Sequence, residues 1–214
     1  MYHPLPVNGA PECHGFNGQS KRKAIVQAIL DGVGIGACVE TGTFRGDTAE
    51  WLVLRHRRVF SVELNPELRP HLEARFADSS GVHLFFGDSR RFLAQLLENP
   101  RCPLQGVFFY LDAHWFADLP LREELAFIVS NWRRSVIMVD DFEVPGDSGY
   151  GYDVYPGIGA LNQEYLRTRS GPALHWFWPS EPSSSEDGAR RGCAVIAWEE
   201  GVAKRLAALP QLRS

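Results

Sequence analysis

Short apolar runs of strand length alternate along this chain with segments whose apolar residues recur every three to four positions. Residues 20–30 place Ala24, Ile25, Ala28 and Ile29 at helical spacing behind Ser20, a residue suited to capping, and leave Lys21, Arg22 and Lys23 to solvent. The spacing then predicts strands at 37–40, 59–63, 82–86, 107–111 and 135–139, separated by helices at 47–55, 66–76, 90–97 and 121–132. Pro66 suits a first helical turn. The run Val107, Phe108, Phe109, Tyr110, Leu111 is so uniformly apolar that burial on both faces is expected. Beyond it, residues 143–157 form a Gly- and Asp-containing loop long enough to serve as a lid or substrate loop. Residues 158–168 read as a short helix, 174–178 and 194–198 as a terminal hairpin, and the serine-containing stretch 180–191 as a disordered connector.

Strands alternating with helices argue for a parallel sheet covered on both faces. The chain has 214 residues, the size of one ordinary domain, read as residues 1–35 forming a cover and helix, 36–141 a core, and 142–214 an acceptor loop and hairpin. At 44% hydrophobic and 22% charged, the composition is that of a globular protein. The net charge of −4 leaves no basic excess for general nucleic-acid binding. No apolar run approaches the roughly 20 residues of a membrane span, and the first ten residues lack the apolar core of a secretory signal. Cys13, Cys38, Cys102 and Cys193 form no CxxC pair, so reduced thiols and a cytoplasmic location are expected. The pattern leaves the oligomeric state open, a homodimer included.

Ligands of open α/β sheets bind beyond the carboxyl ends of the strands, so the polar residues there carry the candidate chemistry. The first strand ends in Glu40-Thr41-Gly42-Thr43-Phe44-Arg45-Gly46, a glycine turn feeding a helix whose first amides can face an anionic group. The earlier run Gly32-Val33-Gly34-Ile35-Gly36 precedes its strand, so it reads as a flexible entry to the sheet and not as a dinucleotide fingerprint. Glu63 closes the second strand 21 residues after Gly42, the distance at which an acid reaches ribose hydroxyls. Asp88 and Ser89 close the third strand, where one can cap the next helix while the other meets an adenine amino group.

The fourth and fifth strands deliver Asp112-Ala113-His114-Trp115 and Asp140-Asp141. Three carboxylates at one sheet edge repel one another unless protonated or bridged by a cation, and oxygen ligands favour a hard ion such as magnesium. Asp112, Asp140 and Asp141 are the predicted metal ligands, the alternative being that Asp112 touches ligand and the pair caps the next segment; His114 and Asp112 are the candidate catalytic groups, with a packing role for His114 as the alternative. The polar, glycine-broken segment ahead of the first helix leaves two readings for Asn17 and Gln19, a ligand contact or a helix-entry turn. Tyr150, Tyr152 and Tyr155 are expected to close over the acceptor.

As a set these residues resemble the class I S-adenosylmethionine-dependent methyltransferases. The resemblance implies a Rossmann-like, seven-stranded, mostly parallel sheet with an antiparallel last strand. It places S-adenosylmethionine across Glu40, Thr41, Gly42, Gly46, Glu63, Asp88, Ser89 and Asp112, with Glu40 on the methionine amino group. The acids Asp112, Asp140 and Asp141 further resemble those of metal-dependent O-methyltransferases, which implies a magnesium ion acidifying a hydroxyl of a small-molecule acceptor, a sugar or an aromatic ring. The lysine of the catechol-type enzymes is missing here, which leaves the base between His114, Asp112 and no dedicated group. The rival readings are a metal-independent methyltransferase, a nicotinamide-dependent oxidoreductase and a non-catalytic cofactor-binding protein.

Overall fold

In the computed structural model, residues 15–55, 58–113, 118–167 and 171–214 are described. Five short strands, β1 (Ala37–Thr41), β2 (Val59–Glu63), β3 (Val82–Phe86), β4 (Val107–Leu111) and β5 (Val136–Asp140), run parallel as neighbours in the order β3-β2-β1-β4-β5. The small hairpin β6 (Val154–Tyr155) and β7 (Gly159–Ala160) stands apart as its own two-stranded sheet. The main sheet continues past β5 through β9 (Cys193–Ala197), β8 (His175–Pro179) and β10 (Leu212–Arg213), each antiparallel to its neighbour. Every residue of β1, β2, β4, β5 and β9 is buried, as expected of strands covered on both sides.

Helices α4 (Ser89–Glu98) and α5 (Leu121–Asn131) pack on one face with Phe92, Leu93, Leu96, Leu125 and Ile128. On the other face lie α1 (Ser20–Gly32), α2 (Asp47–Val53), α3 (Arg69–Arg75) and α6 (Glu200–Ala207), which bury Ile25, Ile29, Leu52, Leu72 and Leu206. Register sets Thr41 opposite Leu111 and Leu111 opposite Val139, so Asp112 and Asp140 leave the sheet at one level. Cys38, Cys102 and Cys193 are buried free thiols. No helix among the described residues is long and apolar enough to cross a membrane.

Four expectations change. The sheet has eight strands, because β10 adds to the edge after α6, and neither element was expected. Residues 158–167 form β7 and turns in place of a helix: Gly157 and Gly159 hold φ of +77° and +104°, which a helix cannot accommodate. The Gly32–Gly36 run closes α1 and turns into β1, pinned by the Gly36 amide on the Gly106 carbonyl at 2.6 Å. Residues 180–191 are ordered, because Glu186 and Asp187 occupy the start of α1. Glu186 accepts the amides of Lys21 and Arg22 at 2.9 and 3.1 Å, and Asp187 that of Ser20 at 2.6 Å. Ser20 therefore makes no cap of its own; the N-cap position is Gln19.

Candidate functional site

The turn after β1 is built on a close approach between strands. Gly42 has φ +90°, and a Cβ there would lie 2.4 Å from the carbonyl oxygen of Asp112. The glycine expected to admit a ligand is thus required by the β4 backbone itself. The amides of Gly42 and Thr43 both reach the Val62 carbonyl at 3.0 Å, tying the turn to β2. Gly46 holds φ +87° against the Phe76 ring and opens α2.

Glu40 is buried on the α2 side and accepts a hydrogen bond from the Ser61 hydroxyl, whose oxygen lies 2.6 Å from Thr43 Oγ1. Burial pushes its carboxyl up to about 8; the Ser61 bond opposes this and the nearby acids Glu63 and Asp47 add to it. Thr41 is fully buried, and its Oγ1 has no hydrogen-bond partner among the described residues. Glu63 accepts the amides of Phe44 (2.6 Å) and Asn65 (2.7 Å). Burial raises its carboxyl above the ordinary range, with those amides pulling the other way. Asp88 is the N-cap of α4, accepting the amides of Arg90 and Arg91, and its pairing with the Arg90 guanidinium holds its carboxyl below the usual range. Ser89 is buried beside it.

At the ends of β4 and β5 the carboxylates meet protein cations. Asp140, wholly buried, takes the Arg22 guanidinium in an ion pair and also accepts from Tyr110 Oη, Asn17 Nδ2 (2.9 Å) and the Asp141 amide (2.7 Å). Asp141 turns at φ +52°, and its carboxylate pairs with Arg191 Nε, while Arg191 Nη2 pairs with Asp153. Tyr155 donates its hydroxyl to Asp153 at 3.0 Å. Burial, and then the charges of Asp140 and Asp141, hold the Asp112 carboxyl well above its ordinary range.

This arrangement corrects the metal expectation. Asp140 and Asp141 are committed to Arg22 and Arg191, and among the described residues no group of three His, Cys, Asp or Glu is placed to hold an ion. A magnesium ion would have to displace an arginine from each carboxylate, so the residues do not fit it. Asn17 holds Asp140, and Gln19 exchanges hydrogen bonds with the Arg191 backbone, so both brace the site. Tyr150 is buried, with its hydroxyl on the Glu181 carbonyl; Tyr152 is half-buried, and Tyr155 stands among the strand-end acids. His114 lies outside the described residues.

Sequence reasoning missed Arg22, Arg191, Asp153, Ser61 and Glu186. Arg22 did carry a signal: positions 22, 25, 26 and 29 share one helical stripe, and all four are buried.

The strand order β3-β2-β1-β4-β5, extended by the reversed β9 and by β8, defines the Rossmann-like α/β fold of methyltransferases. Among solved structures, the chain is similar to a putative methyltransferase from Escherichia coli, with a TM-score of 0.54 at 14% identity over 91% of each chain. It is also similar to an rRNA methylase from Streptococcus thermophilus, with a TM-score of 0.52 at 12% identity over 84% of this chain and 97% of that one. Precorrin 8w decarboxylase from Methanobacterium thermoautotrophicum gives 0.51 at 16% identity over 83% and 88%. At these identities the likeness establishes the fold. No protein-family model and no curated protein matches the chain.

Proposed function

We propose that the protein is an S-adenosylmethionine-dependent methyltransferase that transfers a methyl group to a hydroxyl of a small-molecule acceptor, a sugar or an aromatic, without a divalent ion. The observation that carries the reading is the pair of buried carboxyls at adjacent strand ends, Glu40 held by Ser61 and Glu63 by the Phe44 amide, on either side of the β1 turn. Glu40 has the chemistry to hold the methionine ammonium and Glu63 the ribose hydroxyls, with Asp88 and Ser89 at the adenine end. Bound there, S-adenosylmethionine would supply an electrophilic sulfonium methyl group. On this reading His114 would be the base that takes the proton of the acceptor hydroxyl. Asp112, held toward its protonated form, is better suited to donating a hydrogen bond to the acceptor than to taking its proton. The acid-rich mouth and the absence of a basic excess favour a small acceptor over a nucleic acid. A cytoplasmic location is part of this proposal.

Isothermal titration tests it. S-adenosylmethionine and S-adenosylhomocysteine are expected to bind the native protein, and Glu63→Gln to weaken both about tenfold or more, the loss of one good charge-assisted hydrogen bond. Binding of a nicotinamide dinucleotide with no affinity for either sulfur compound would overturn the proposal in favour of an oxidoreductase.

A further inference from the structure

We infer that Arg191 is a built-in substitute for a divalent cation: a positioning residue whose guanidinium joins Asp141 at the end of β5 to Asp153 at the base of the β6–β7 hairpin, a junction that a metal ion would otherwise have to make. The bridge itself is the first ground. Two different nitrogens of one guanidinium, Nε and Nη2, engage carboxylates twelve positions apart in sequence, the fork geometry by which arginine binds oxygen pairs.

The second ground is how the backbone delivers that arginine. Gly192, the next residue, leaves no room for a side chain, since a Cβ there would lie 2.2 Å from the Phe142 carbonyl oxygen. Its amide bonds the Gly151 carbonyl at 2.7 Å, its carbonyl takes the Phe142 amide at 3.0 Å, and a Cβ on Gly151 would sit 3.1 Å from Arg191 Nη1. These bonds fix the backbone that carries Arg191, and Gly151 packs against its guanidinium. Asp141 adopts a left-handed φ of +52°, uncommon for a residue with a Cβ, and its amide is held by Asp140 while its carboxylate meets Arg191.

The third ground is the charge left without it. Arg22 is buried against Asp140, so removal of Arg191 would leave the Asp141 and Asp153 carboxylates without the guanidinium that joins them, with Tyr155 on Asp153. That is an oxygen-rich set with the character of a hard-cation site. Arg191 keeps about a quarter of its side-chain surface exposed, so the position is open to ions from solvent.

The function drawn from this rests on reading the edge as the acceptor end: Arg191 holds the hairpin and Tyr155 in place over the acceptor, and the transfer needs no added metal. Manganese electron paramagnetic resonance tests the substitution directly. The native protein should leave the free Mn2+ signal unchanged, whereas Arg191→Ala should take up about one ion and gain several degrees of Tm in millimolar manganese. Arg191→Lys, which retains a charge, should take up none, and Arg191→Ala combined with Asp153→Asn should lose the gain. If Arg191→Ala does not fold in metal-free buffer, manganese should restore its folding. Manganese binding by the native protein, or a variant that neither binds it nor is rescued by it, overturns the inference. Titration with S-adenosylhomocysteine keeps the two readings apart. It should bind the native protein and folded Arg191→Ala alike, and its failure to bind the native protein would sink the methyltransferase reading while leaving the manganese result standing.

Discussion

Arg22 and Asp140 lie 118 positions apart in the chain and meet as a fully buried ion pair beneath the carboxyl edge of the sheet. Two charges withdrawn from water in this way are tolerated only together, since each alone carries an uncompensated desolvation cost. Asp140→Asn and Arg22→Met should each destabilise the fold by about 3–5 kcal/mol, and the double variant by less than the sum. Urea unfolding midpoints of the four proteins check this, and additive losses would refute the coupling.

Glu40 makes cofactor binding depend on pH. Its carboxyl, raised to about 8 by burial, is largely neutral at pH 7 in the unliganded protein, and an ammonium group placed beside it favours the ionised form. Cofactor binding should therefore release a proton near neutrality and tighten as pH rises towards 8, then level off. Because the folded value lies above the unfolded one, stability of the unliganded protein should fall between about pH 4.5 and 8 from this group. Glu40→Gln should flatten both dependences. Titrations in buffers of different ionisation enthalpy measure the proton, and pH-dependent unfolding measures the stability.

Gly42→Ala places a methyl group against the Asp112 carbonyl and forces a side chain onto φ +90°. A loss of about 2–4 kcal/mol in stability is expected, together with weaker cofactor binding, because the turn and the β4 end shift apart. Thermal unfolding and S-adenosylhomocysteine titration report the two effects. An unperturbed Tm would show that the contact relaxes freely.

Glu186→Ala should cost about 1–2 kcal/mol, the usual loss when a helix start is uncapped. Hydrogen exchange should quicken first at the amides of Lys21 and Arg22, which Glu186 accepts, before the sheet amides respond.

The parallel half of the sheet was legible because β1, β2, β4 and β5 are short runs of nearly uniform apolar character, and their ends could be read for acids. What those acids do was not legible. Nothing local to Asp140 and Asp141 announces Arg22 or Arg191, since the pairing depends on segments brought together only by the fold. For Arg22 the stripe at 22, 25, 26 and 29 was available, but a face drawn one residue away, through Ala24 and Ala28, set the arginine in solvent. The serine-rich connector misled for the opposite reason: its polarity is that of disorder, yet Glu186 and Asp187 are consumed by the unsatisfied amides of α1. Residues 158–167 carry helical spacing in Leu161, Tyr165 and Leu166, all buried, but the glycines ahead of them divert the backbone.

The capping of α1 by Glu186 and Asp187 also has a bearing on the order of events during synthesis. A ribosome releases Ser20 to Gly32 long before it makes the residues that satisfy the helix start, and before Asp140 exists to balance Arg22. The start of α1 and the charge of Arg22 are thus satisfied only by residues made after it, Asp140 in β5 and Glu186 and Asp187 beyond it, so these long-range contacts tie the first helix to the second half of the chain.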